Sequence, residues 1–129
     1  MASRAEDWLR QAQRDLDHAR DTLADGTFEW AAFAAQQGAE KAVKAVFQHL
    51  GGEARGHSVS QLLAALPEAV RPPRDLIEAS KELDKHYIGP RYPNSYPEGA
   101  PLDFYTRAEA QRAIETAERV VEHCQRQLL

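Results

Sequence analysis

Cysteine occurs once, at Cys124, so no disulfide can form within the chain. The position lies on an apolar stripe near the C-terminus, where a packed thiol is expected rather than a nucleophile. Positive charge is scarce as well: 16 Lys and Arg face 20 Asp and Glu, a net charge of -4. That balance excludes a general attraction to nucleic acid, and any such contact has to come from a local basic patch. No apolar run approaches the ~20 residues of a membrane-spanning helix. The first six residues already carry charge and no signal-peptide core follows, so a cytoplasmic protein with no membrane partner is expected. His18, His49, His57, His86 and His123 form no HxxxH, HxH or Cys/His pair at metal-ligand spacing, which argues against a metal. A P-loop, a dinucleotide fingerprint and a nucleophilic serine elbow are missing too, and no cofactor is expected.

Strand-like alternation is absent; helical periodicity with marked ends takes its place. Ser3-Arg4-Ala5-Glu6, Ser58-Val59-Ser60-Gln61 and Thr106-Arg107-Ala108-Glu109 read as capping boxes, each pairing a hydroxyl with a Glu or Gln three residues on. Helix starts are expected close to Ser3, Thr27, Ser58, Pro73 and Thr106, with Pro72-Pro73 suiting the first turn of the fourth helix. Leu9, Ala12, Leu16, Ala19 and Leu23 make one buried stripe in the first helix. Ala110, Ala113, Ile114, Ala117, Val121, Cys124 and Leu128 make another in the last. The second helix is small-sided nearly all round, from Ala31 to Ala45, and fits the middle of a bundle. Leu76, Ala79, Leu83 and Tyr87 supply the inner face of the fourth, which Gly89-Pro90 halts. The chain therefore reads as all-α, an up-and-down antiparallel bundle of four to five helices forming one domain over residues 1–129.

One connection is long, from Gly89 to Tyr105, and it concentrates the chemistry. All four tyrosines, Tyr87, Tyr92, Tyr96 and Tyr105, lie in or beside it, with Pro90, Pro93, Pro97 and Pro101 of the seven prolines. A connection of this length in a compact domain implies a function, and the prolines stiffen its path. Asp84 stands in the last turn of the fourth helix, against the dipole, so a compensating partner is required. Arg91 is the nearest in sequence, and Lys41 or Lys44 could reach from the second helix. Gln37, Lys41, Lys44 and Gln48 form a polar stripe there. It is either a solvated face with a Glu40 to Lys44 ion pair or the wall of a phosphate groove. His86, the histidine nearest Arg91, is the candidate general base if the protein cleaves RNA, and otherwise a solvated helix-end residue. His57 reads as a packing or hydrogen-bonding residue at the turn before the third helix.

With these residues assembled, the chain resembles the HEPN family, specifically the short prokaryotic members paired with minimal nucleotidyltransferases. The resemblance spans nearly the whole chain. It rests on Trp8 with Asp15-Leu16, on Ala35-Gln36-Gln37-Gly38-Ala39-Glu40-Lys41-Ala42-Val43-Lys44-Ala45, and on Gly56-His57-Ser58. Leu83-Asp84 with Tyr87, Arg91-Tyr92-Pro93-Asn94, and Tyr105-Thr106 with Ala108, Ala113 and Ala117 complete it. It implies a helical bundle that pairs with a second copy, with a cleft near the dimer seam beside the loop after the fourth helix. Many members look like metal-independent ribonucleases with an Arg-x4-6-His motif. Here no histidine occurs from Arg91 through Tyr105, and Tyr96 stands at the shortest spacing.

The first reading that follows is a homodimeric nucleotide- or RNA-phosphate-binding module, partner of a minimal nucleotidyltransferase in a toxin-antitoxin-like pair. Lys41, Lys44, Asp84, Tyr87, Arg91, Tyr92 and Asn94 would bind nucleotide or single-stranded RNA. Tyr92 and Tyr96 are positional candidates for modification by that partner. The alternative is a toxin-type endoribonuclease using Arg91 with His86 or Tyr96. A third has the loop serve only as a dimer contact.

Overall fold

The computed structural model describes residues 3–129. Among the described residues six α-helices follow one another: α1 (Ala5–Ala24), α2 (Phe28–His49), α3 (Val59–Ala64), α4 (Arg74–Asp84), α5 (Pro101–Phe104) and α6 (Arg107–Gln127). The all-helical bundle is the one expected, with α1, α2, α4 and α6 as its principal helices and α3 and α5 as short additions. α2 is its centre, packing chiefly on α1 and α6 and also touching α3, α4 and α5. Small side chains make this possible, since Ala31, Ala32, Ala35, Ala39, Ala42 and Ala45 are all fully buried. At Gly38 a Cβ would come within 3.0 Å of the Ala12 carbonyl oxygen and 3.4 Å of the Leu16 nitrogen. A side chain here would push α1 off α2. Leu16, Leu62, Leu63, Leu76, Leu83 and Ile114 fill the core from the surrounding helices. Cys124 is packed among them, and burial pushes its thiol up to about 12, as befits a structural residue.

The helix ends follow the capping signals in part. Ser58 and Thr106 accept from the Gln61 and Glu109 N–H groups at 3.2 and 3.1 Å. At α1 the cap position is Arg4, and Ser3 Oγ instead accepts from Ala5 N–H at 2.9 Å. Thr27 precedes α2 without a side-chain cap bond. Pro73 is the residue before α4 rather than its first, with ψ at 151°; proline fixes φ alone, so its ψ is free to stay extended. α4 stops at Asp84, earlier than the Gly89-Pro90 signal. Lys85, His86 and Tyr87 continue as tight turns whose N–H groups reach back three residues. The long connection is not structureless: Pro93–Ser95 form a 3₁₀ turn and Pro101–Phe104 form α5. Tyr96 stacks on Phe104 with ring centres 4.4 Å apart.

Asp84 has its compensating partner, and it is neither Arg91 nor a lysine. The carboxylate accepts from Ser58 Oγ at 2.8 Å, from Val59 N–H at 2.6 Å, from Ser60 N–H at 3.3 Å and from the Ser60 hydroxyl. The negative end of α4 is thus latched onto the positive end of α3, so a charge unfavourable to its own helix satisfies the orphan donors of another. The sequence pointed to a cation. Free N–H groups at a helix start do the same work at closer range.

His86 is buried, only 2% exposed, rather than solvated at a helix end. Its Nδ1 meets the Tyr105 hydroxyl at 2.9 Å, and its Nε2 has no partner among the described residues. Burial lowers its pKa from 6.5 to about 4; the charges of Arg112 and Lys85 act in the same direction and that of Glu82 opposes them.

Asp84→Ala should destabilise the fold by about 2–3 kcal/mol in chemical denaturation, because several half-buried donors lose an ionised acceptor together. A change below about 0.5 kcal/mol would show that the latch is not holding α3. His86 is neutral in the fold at pH 7, so its contribution is complete above pH 6.5 and is lost as pH falls through about 4. Wild type should lose about 3 kcal/mol across that window through this group. His86→Phe should flatten the slope, and an unchanged slope contradicts the assignment.

Candidate functional site

The latch brings two sequence-distant turns together. On one side of it Ser58 is preceded by His57; on the other Asp84 is followed by Tyr87 and Arg91. The His57 and Tyr87 rings stack with centres 4.2 Å apart and planes 14° from parallel. The Arg91 guanidinium lies 4.6 Å from the centre of the Tyr87 ring, 4.7 Å from that of Phe33 on α2 and 5.3 Å from that of Tyr92. Three aromatic rings therefore hold one cation, each able to contribute ~0.5–1 kcal/mol where water still reaches. Arg91 Nε–H donates to the Tyr87 carbonyl at 2.7 Å, the guanidinium's one hydrogen bond among the described residues. The guanidinium is oriented, half-buried and unmatched by any carboxylate there, and its two Nη groups remain available as a fork. That is the geometry with which arginine takes up a phosphate.

Behind His57 stands a buried carboxylate. Glu40 on α2 has a side chain only 7% exposed, and it meets Lys44 Nζ at 3.0 Å, Gln36 Nε2 at 3.2 Å and His57 Nδ1 at 3.1 Å. The expected Glu40 to Lys44 ion pair exists, but on a packed face rather than a solvated one. Gln36 also donates to the His57 carbonyl at 2.9 Å, so both backbone and ring of His57 are held. A carboxylate can only accept, which places the proton of neutral His57 on Nδ1 and leaves Nε2 with its lone pair. The ring is 51% exposed. From the sequence alone His57 is a turn residue. Its signal was the carboxylate on a small-sided helix, which needs a partner once buried, but nothing local joins positions 40 and 57.

The other candidate residues divide. Lys44, Tyr87, Arg91 and Tyr92 join one contact network running from Glu40 through His57. Asp84 supports it from below through the latch. Lys41 turns the other way and forms an ion pair with Asp15 of α1. Asn94 is exposed on the 3₁₀ turn. His86 and Tyr96 belong to a second aromatic group with Tyr105 and Phe104. Burial raises the pKa of Tyr96, and that of Tyr105 rises further for the same reason. Neither His86 nor Tyr96 is among the residues that surround the Arg91 guanidinium. The tyrosine cluster legible in the sequence is thus two clusters, one around a cation and one around a buried imidazole.

Known proteins share this arrangement of helices. A family model described as the HEPN domain matches residues 5–127. The crystal structure of TT1696 from Thermus thermophilus superposes with a TM-score of 0.95 at 46% identity, covering 98% of this chain and 100% of that one. ST0689, an archaeal HEPN homologue, gives 0.82 at 43% identity with both chains fully covered. A HEPN domain protein of Thermotoga maritima gives 0.74 at 39% identity, over 92% of this chain and 94% of its own. Among curated proteins, one of Methanocaldococcus jannaschii named "Putative toxin MJ1304" is 30% identical over 124 residues, covering 89% of this chain and 82% of that protein. Among the described residues no helix is long and apolar enough to cross a membrane. The chain belongs to the HEPN domain family.

Proposed function

We propose that this chain is a HEPN-type module that takes the phosphate of a nucleotide or single-stranded RNA onto Arg91, as the toxin-like half of a cytoplasmic pair. One observation carries the reading: an arginine held by three rings and one carbonyl, with the fork of its guanidinium unspent. Tyr92 offers its face beside the cation, and Lys44, paired with Glu40, supports the site by holding the carboxylate that orients His57. The resemblance of the chain to a protein named as a toxin supports an antitoxin partner. For the short HEPN proteins that partner is a minimal nucleotidyltransferase, with Tyr92 and Tyr96 as candidate acceptors of its modification. The module acts as a homodimer, with the loop from Gly89 to Tyr105 at the seam.

A second reading has its own support. In a metal-independent endoribonuclease the Arg91 guanidinium would offset the charge of the phosphorane, and a base would take the 2′-hydroxyl proton. His57 fits that role better than His86 or Tyr96, since Glu40 fixes its tautomer and leaves the Nε2 lone pair free on a half-exposed ring. His86, at about 4 and buried, is neither basic enough nor accessible. Tyr96, its pKa raised from 10.0, is no better suited near pH 7.

Arg91→Ala should weaken binding of a 5′-mononucleotide by tenfold or more in calorimetric titration while lowering stability by about 2–3 kcal/mol and leaving the helical fold in place. Equal affinity in the variant would remove the phosphate site. For the second reading the measurement is the cleavage rate of single-stranded RNA in the presence of chelator. If wild type cleaves, His57→Ala should lower the rate at least ~100-fold and His86→Phe should not. Intact RNA under wild type leaves binding alone.

A further inference from the structure

A cavity of about 300 Å³ adjoins the Arg91 cage on the side of α1, lined by Trp30, Phe33, Gln37, Lys41 and Asp15 among others. Phe33 is the shared wall. One part of its ring environment is the Arg91 guanidinium at 4.7 Å, and another is the Trp30 indole, edge-on with ring centres 6.0 Å apart. Trp30 stands out on a helix otherwise lined with buried alanines, being 46% exposed. An indole half in water on the wall of a cavity is a stacking platform for a flat ring.

The charges around the cavity decide what it suits. Among the described residues lining it, Lys41 is the one lysine or arginine, and it is neutralised by Asp15 in a close ion pair; His18 is the remaining ionisable group on the wall. A second phosphate would therefore find no free lysine or arginine. A neutral, flat, polar-edged group would find both faces it needs. Gln37 spends an amide N–H on Gln36 at 2.7 Å, which leaves its carbonyl as an acceptor. The Asp15 oxygens already accept from Gln11 and Lys41 and keep lone pairs for a further donor, and Lys41 keeps further N–H donors.

We propose that this cavity receives the base of the nucleotide whose phosphate binds Arg91, with the base stacked against Trp30 and its edge toward Gln37, Asp15 and Lys41. The proposal rests on the phosphate reading given above and extends it from a phosphate site to a nucleotide site. A base can enter only when unpaired, so the ligand is a free nucleotide or one nucleotide of a single strand rather than a duplex.

Tryptophan fluorescence tests this directly, because Trp8→Phe leaves Trp30 as the sole indole of the chain. In that background, inorganic phosphate, AMP and UMP are each titrated, with calorimetry in parallel. The expected result is quenching of Trp30 by both nucleotides but not by phosphate, and nucleotide affinity at least tenfold above that of phosphate. Trp30→Ala, followed by calorimetry, should reduce nucleotide affinity about tenfold toward the phosphate value while phosphate binding stays unchanged. Phosphate and nucleotides binding with equal affinity and no change in Trp30 emission would overturn the base site and leave the phosphate site standing. No binding of any of the three would overturn both. Emission that shifts with protein concentration alone would assign the cavity to a second copy and overturn the base site as well.

Discussion

The Asp84 carboxylate is the constraint on which the site depends. It terminates one helix and starts another, and its acceptors are filled by two backbone N–H groups and two hydroxyls of a single turn. Because the residues immediately outside this latch are His57 on one side and the Tyr87 to Arg91 turn on the other, fixing the latch fixes their mutual approach. The stacked His57 and Tyr87 rings and the cation beside them follow from that geometry. A cation in place of the α3 amides could have balanced the charge, but it would not have set the direction from which α3 enters.

α2 supplies the rest of the site while serving as the core of the bundle. Its alanine faces and Gly38 let α1 and α6 close upon it, and the same close packing removes Glu40 from water. A carboxylate so placed must be paired, and it is, by Lys44, Gln36 and His57 at once. Phe33, on the same helix, forms one wall of the Arg91 cage. Packing and function are therefore not separable along α2: the small residues that build the core are what bury the carboxylate that orients the imidazole.

The bundle was legible because helical periodicity and capping are local signals. Ser58 and Thr106 cap where their sequences place them, and the stripes of α1 and α6 are buried as spaced. α4 starts one residue past Pro73, since proline constrains φ and leaves ψ to tertiary contacts, and it ends about a turn before Gly89-Pro90 because the chain tightens into three-residue turns after Asp84. In the site, the dipole argument at Asp84 correctly demanded a partner, but sequence distance pointed to Arg91. The true partner is 24 to 26 residues upstream and uses backbone N–H groups that every sequence contains. The sequence reads His57 as a packing or hydrogen-bonding turn residue, which it is, but its pairing to Glu40 spans 17 residues and has no local signal. The gathering of Tyr87, Tyr92 and Arg91 was readable from their adjacency alone.

At the centre stands a guanidinium held in place by aromatic rings and one carbonyl, which we propose takes a phosphate. The Arg91 Nε–H resonance in a ¹⁵N-labelled protein reports that state directly. It should appear shifted by ring currents and slowed in exchange by its bond to the Tyr87 carbonyl, and it should move on addition of a 5′-mononucleotide. An Nε–H that exchanges freely at the frequency of a solvated arginine, and that ignores the nucleotide, would contradict the account.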